Sequence, residues 1–212
     1  MPNLAPCGVF YCPLNRGNYK RLRARVHTAA IIHGSRTMYH IDKIVIHCAA
    51  STNGQALGSS KQSAAQVIDG WHAKRGFRRL DYNISKYNGE LRHIGYHYVI
   101  DADGTVEPGR HELEMGAHVK GHNAHSIGIC MVGTDHFTAA QWEALAALVR
   151  ELKERYPQAH ICGHRDLSPD IDGDGTVEPH EWLKICPGFT VADWLAGGMA
   201  PLPGHICEAR HD

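Results

Sequence analysis

Two histidines and a cysteine carry the first chemical signal in this chain. His47 ends the apolar run Lys43-Ile44-Val45-Ile46 and precedes the polar stretch Ser51-Thr52-Asn53-Gly54. His164 sits in Gly163-His164-Arg165-Asp166, just after the short run Ala159–Cys162, and Cys186 follows in Lys184-Ile185-Cys186-Pro187. Sites in open α/β sheets form outside the carboxyl ends of strands, and both histidines stand where a strand would end. Two such histidines and one loop cysteine make a three-donor zinc set with a free fourth position, the form of a catalytic zinc centre. Such a position lowers the pKa of water toward about 7. Spacing alone does not compel this reading, because the three residues lie 117 and 22 positions apart. His47 taken singly also reads as a hydrogen-bonded core histidine.

A second pattern is local. Asp170, Asp172, Asp174, Glu178 and Glu181 occupy positions 1, 3, 5, 9 and 12 of a twelve-residue EF-hand-type loop, with Gly175 at position 6. Thr176 would offer its backbone carbonyl and Glu181 a bidentate carboxylate to Ca2+. Pro169 excludes the helix that precedes such a loop in a true EF-hand. The expectation is therefore a lone calcium-type loop between His164 and Lys184; an acidic solvated turn is the alternative. A cation there would stiffen the segment carrying Lys184 and Cys186. Asp101-Ala102-Asp103-Gly104 lacks the later acids and reads as a hairpin turn.

The elements that must position these residues alternate between strand and helix. Lys43–Cys48 is a β-branched run of the kind buried on both sheet faces. Residues 60–74 place Ala64, Val67, Ile68 and Trp71 at helical spacing, and Gly76 closes that helix. Residues 77–93 are polar and aromatic and read as one long loop. Gly95–Ile100 is a second strand; its alternation turns His97 away from Tyr96, which leaves His97 out of the site. Residues 127–132 form a third strand. Thr138 and Gln141 make a capping box for a helix with Trp142, Leu145, Val149, Leu152 and Tyr156 on one face, stopped by Pro157. Ala159–Cys162 is a short strand, and a short helix lies near Val191–Leu195. This order predicts one α/β domain with a central mixed sheet flanked by helices. The expected divisions are a basic, irregular extension over 1–38, a catalytic domain over 39–196 and a flexible tail over 197–212, rich in Gly and Pro.

Composition narrows the classes. Basic and acidic residues number 22 each, yet Arg16, Lys20, Arg21, Arg23, Arg25 and Arg36 stand in residues 1–41 without one acid. The rest of the chain is correspondingly acidic. No base-reading module is present, so no specific nucleic-acid partner is expected. No apolar run approaches the roughly 18–20 residues of a membrane span, and no signal peptide is recognisable at the start. The seven cysteines form no CxxC pair, which suits a reducing compartment. Cys48, Cys130 and Cys162 read as small buried hydrophobes.

Five stretches together resemble one family: IVIHCAAS at 44–51, GYHYVIDADGTVEPGR at 95–110, GAHVKGHNAHSIGICMVG at 116–133, GHRDLSP at 163–169 and KICPGF at 184–189. In order and residue type, over about residues 41–195, they resemble the zinc-dependent N-acetylmuramoyl-L-alanine amidases of the type-2 family, which share a fold with the peptidoglycan recognition proteins. The resemblance implies His47, His164 and Cys186 as Zn2+ ligands, Tyr96 and Lys184 as catalytic residues, and His118 and Asn123 as lining of the substrate groove. It implies hydrolysis of the amide between N-acetylmuramic acid and L-alanine, with peptidoglycan or soluble muropeptides as substrate and a monomer as the working unit. Some relatives use a glutamate for proton transfer; no single acid here takes that role. A non-catalytic peptidoglycan-binding module is the alternative. The expected setting is the cytoplasm, or release to the wall as a phage-type lysin.

Overall fold

The structure is a computed structural model and describes residues 40–210. The basic extension over 1–38 lies outside the described residues. Five strands form one mixed sheet in the order β3-β2-β4-β1-β5. They are β1 (Lys43–Cys48), β2 (Tyr98–Ile100), β3 (Val106–Pro108), β4 (Ser126–Met131) and β5 (His160–Gly163). β1 runs parallel to β4 and β5, β4 runs parallel to β2, and β3 alone is antiparallel.

The apolar run of β1 is explained by this placement. β1 lies inside the sheet with both faces covered, so Ile44, Val45 and Ile46 are all fully buried. Ile44 and Ile46 join Ile127, Ile129 and Met131 of β4 on one face. There they pack against α3 (Ala139–Arg155), through Trp142, Leu145, Val149 and Leu152, and against Trp194 of α4 (Val191–Ala196). The other face packs Val99 and Cys130 under α1 (Ala64–Lys74), through Ala64, Ala65 and Ile68. Truncating Trp142 to alanine in this core would cost about 3–5 kcal/mol.

Both long helices start on capping boxes. Thr138 accepts from the Gln141 N–H, as the sequence predicts, and Ser63 accepts from Gln66. The Ser63 box moves the start of α1 from the expected residue 60 to Ala64. It also sets which stripe is buried: Ala64, Ala65, Ile68 and His72 face inward, while Trp71 remains 37% exposed. His72 replaces Trp71 because its Nδ1 has a buried partner, accepting the Gly95 N–H at 2.9 Å.

Three other expectations differ from the structure. The loop over 77–93 contains a helical turn, α2 (Asp81–Lys86). Buried Arg79 pins this segment through bonds to the carbonyls of Tyr87, Asn88 and Leu91 and an ion pair with Glu114. The second strand begins at Tyr98, so Gly95–His97 lie outside regular alternation. The tail from Gly197 is tied down through most of its length. His205 O accepts from the Phe137 N–H and from Trp142 Nε1, Cys207 N–H donates to Phe137 O, and Arg210 N–H donates to Gly54 O. Its Gly and Pro content excludes regular structure, but backbone hydrogen bonding decides whether a terminus frays.

Candidate metal centre

Parallel pairing brings the ends of β1 and β5 side by side. Ile46 pairs with Gly163, and the His164 N–H donates to Ile46 O at 3.1 Å. His47 and His164 therefore leave neighbouring strands together, and their rings lie 4.7 Å apart. The Arg165 N–H donates to Cys186 O at 2.9 Å, which joins the loop after β5 to the loop bearing the cysteine. Asp166 holds the turn by accepting the Gly163 N–H at 2.7 Å, and the Arg165 guanidinium lies 4.1 Å above the Trp182 ring. One donor atom from each of His47, His164 and Cys186 falls within a 4.8 Å cluster. His47 Nδ1 lies 3.8 Å from Cys186 Sγ. Tetrahedral zinc with ordinary bond lengths spaces N and S about 3.6 Å apart, so the donors present fit that ion.

The imidazoles are held in the form a metal needs. Burial, then the neighbouring His118 and His164, keeps His47 far below its ordinary range. Burial and then Lys184 lower His164 to about 4. Both are neutral near pH 7 and have a lone pair to give. In the absence of a cation, the Cys48 contact and then burial push the Cys186 thiol up; a bound metal reverses this by favouring the thiolate. Cys48 thus differs from its sequence reading as a buried hydrophobe. It is half-buried, and its backbone N–H donates to Cys186 Sγ at 3.2 Å. Cys130 and Cys162 are buried as expected.

Tyr96 stands over this group with its ring 5.1 Å from that of His47. Burial and the nearby thiols raise its phenol well above the usual value, so it stays protonated and can donate. Exposed Lys184 lines a groove of about 490 Å3 together with His164, His118, Asn123, Arg75 and Phe77. Both expected groove residues are therefore at the groove. His118 also reaches His47, and Asn123 Oδ1 accepts the N–H groups of His118 and Val119 at 2.7 and 2.9 Å. The His97 ring lies 5.6 Å from that of His118, with its Nδ1 accepting the Gly128 N–H and its Nε2 2.8 Å from the Glu114 carbonyl oxygen. Sequence reasoning also missed His72, 5.3 Å from Tyr96, and Ser126. A polar residue opening the otherwise apolar strand Ser126–Met131 was the available signal for Ser126.

The acidic loop lies apart from these donors. Asp170, Asp172 and Asp174 bring carboxylates within 4.8 Å of one another, and Asp172 joins a second group with Glu178, Glu181 and His180, a residue the loop pattern did not include. Glu181 is 2% exposed, and it accepts the N–H groups of Ile171, Asp172 and Glu178. The Thr176 N–H donates to Asp174.

The N-acetylmuramoyl-L-alanine amidase family matches residues 37–188, a span that contains all three donors. An endolysin of Enterobacteria phage K11 is 32% identical over 161 residues, which cover 72% of this chain and 84% of the phage protein. An N-acetylmuramoyl-L-alanine amidase structure from Clostridium intestinale is similar with a TM-score of 0.53 and 25% identity, over 76% of this chain and 86% of its own. Bumblebee PGRP-SA, at 19% identity and a TM-score of 0.52, shares the fold over 77% of this chain and 84% of its own. The mixed sheet, the strand-end donors and a match over most of the length agree: the chain belongs to the N-acetylmuramoyl-L-alanine amidase family.

Proposed function

We propose that the protein hydrolyses the amide between N-acetylmuramic acid and L-alanine in peptidoglycan or its fragments, as a monomer, with a zinc ion held by His47, His164 and Cys186. The observation carrying this reading is the cluster of two neutral histidines and one cysteine within 4.8 Å, beside a groove lined by Lys184. The names of the phage K11 endolysin and the Clostridium amidase support the substrate class. When bound, zinc supplies a Lewis acid for the amide carbonyl and lowers the pKa of water.

The chain's own residues supply the rest. The groove holds the substrate so that the scissile amide meets the donor cluster, which turns attack into an effectively unimolecular step. The carbonyl oxygen gains negative charge as water adds to the carbonyl carbon. The Lys184 ammonium offers a fixed positive charge at the groove wall for that oxygen. Tyr96, kept protonated by burial, orients the water or donates to the same oxygen. The C–N bond then breaks: the acyl carbon keeps the oxygen of the water as a carboxylate, and the alanine amine leaves with the protons that the water gives up.

Retention of Cys186, Tyr96 and Lys184 beside both histidines favours an enzyme over a binding module. Purified cell walls distinguish the two. New L-alanine amino termini released by the zinc-loaded protein, lost with a chelator and regained on adding zinc, are the expected result. Binding to walls without release in any metal state would reject the enzyme. Running soluble muropeptides beside intact walls assigns the protein to wall lysis or fragment turnover. We further propose that Asp170, Asp172, Asp174, Thr176, Glu178 and Glu181 take a calcium ion; the three aspartates within 4.8 Å are the supporting geometry.

A further inference from the structure

Behind His47, polar groups form a single line that leads away from the donor cluster. His47 Nε2 lies 3.0 Å from His118 Nδ1, and His118 Nε2 lies 3.2 Å from Ser126 Oγ. The Ser126 hydroxyl donates to the His122 carbonyl at 2.6 Å. The direction of each link follows from the far end. A carbonyl oxygen only accepts, so the one proton of Ser126 is committed to His122. Toward His118 the hydroxyl oxygen can then only accept, and His118 Nε2 must carry a proton. A neutral imidazole has one N–H and one bare nitrogen, so His118 Nδ1 is bare. The proton between the two rings therefore sits on His47 Nε2. His47 Nδ1, the atom 3.8 Å from Cys186 Sγ, is left as the free donor.

The space for the His118 ring is independently built. A Cβ on Gly128 would come within 2.6 Å of His118 Cγ, and one on Gly116 within 2.4 Å of its Cδ2. The ring thus occupies room that only glycine leaves at both positions. Asn123 grips the backbone at His118 and Val119, and the His97 ring stands edge-on to His118 at 5.6 Å. Ser126, buried at the start of β4, holds the far nitrogen. Gly116, His118, Asn123, Ser126 and Gly128 all belong to the segment 116–133, so one device accounts for much of its composition.

We propose that His118 and Ser126 are positioning residues for His47, a relay from the His122 carbonyl that fixes both the ring orientation and the proton of the metal ligand. This rests on the reading of His47, His164 and Cys186 as a zinc centre. Groups behind a ligating histidine set its tautomer and basicity, and their loss commonly weakens metal binding about 10–100-fold. His118 also lines the groove, but a groove role alone would move neither the zinc affinity nor the proton on His47.

The proton positions can be read in the metal-free full chain labelled with 15N. Long-range 1H–15N correlations near neutral pH are expected to show His47 and His118 both protonated at Nε2. His47 protonated at Nδ1 overturns the relay. Zinc affinity, measured by competition with a chromophoric chelator, gives the second readout. Ser126→Ala is expected to weaken zinc about 10-fold or more and to shift the absorption bands of the cobalt-substituted protein, while Ser126→Thr restores both. Unchanged affinity in Ser126→Ala and His118→Ala, with tight binding in the unaltered protein, overturns the relay and leaves the metal centre standing. An unaltered protein that takes up no zinc overturns both.

Discussion

Two regions of this molecule gather groups able to hold a cation, and they are built in opposite ways. His47, His164 and Cys186 come from distant parts of the chain and meet where parallel strands end. Asp170, Asp172 and Asp174 come from one short segment and stand exposed. In the first, the back of the His47 ring is bonded to the protein and one nitrogen is left facing the other donors. In the second, the carboxylates are already engaged with the loop's own backbone: Asp170 accepts the Gly173 and Gly175 N–H groups, and Asp172 accepts that of Asp174. A preorganised set of neutral and soft donors favours zinc. A flexible, all-oxygen set favours calcium and can also close on itself without an ion.

The largest expected effect separates the two regions outright. Cys186→Ala is expected to abolish zinc binding and lower amide cleavage by about 10³-fold or more, given the several kcal/mol a catalytic metal supplies. Asp172→Asn leaves zinc stoichiometry unchanged. Zinc content after dialysis and product release decide this, and a fully active Cys186→Ala protein would refute the centre. A smaller loss tests the groove wall beside the cluster. Lys184→Ala should retain zinc while kcat falls by about 10²-fold, and an unchanged rate rejects its role.

Calcium tests the acidic region in the presence of zinc. At about a hundred times Kd, binding adds about 2.7 kcal/mol, which raises Tm by roughly 5–10 °C for a domain of this size. Asp170→Asn is expected to remove that shift. The same Tm and activity with and without calcium would end the calcium reading.

The last test is in pH. Burial lowers His72 and His97 to about 4 from an ordinary 6.5. Between those values the unfolded chain binds protons that the fold refuses, so their stabilisation is complete above pH 6.5 and is lost as pH falls toward 4. Hydrogen bonds from the Ile171 and Glu178 N–H groups hold Glu181 below its ordinary 4.5, so its contribution is lost only in more acid solution. Thermal melts of the metal-free protein should fall through the first window. His72→Asn, which keeps an acceptor for Gly95, should flatten that fall, and an unaltered slope would remove His72 from the account.

Local chemistry was legible along the chain. The β-branched run marked β1 to the residue, the Thr138–Gln141 box marked the start of α3, and the residue types at 47, 164 and 186 offered a donor set that the fold brings within 4.8 Å. These features depend on a few neighbouring residues and their intrinsic preferences, so sequence alone determined them. Tertiary structure decided the rest. Which stripe of α1 faces inward depends on Gly95 across the fold. The tail is held by Phe137, Trp142 and Gly54, far away in sequence. The role of His118 depends on β1 and β4 lying parallel in one register, which pairs His47 with Cys130 and sets Gly128 and Ser126 behind it. No local preference encodes such pairings, because they arise only when the strands close the sheet and bury both its faces.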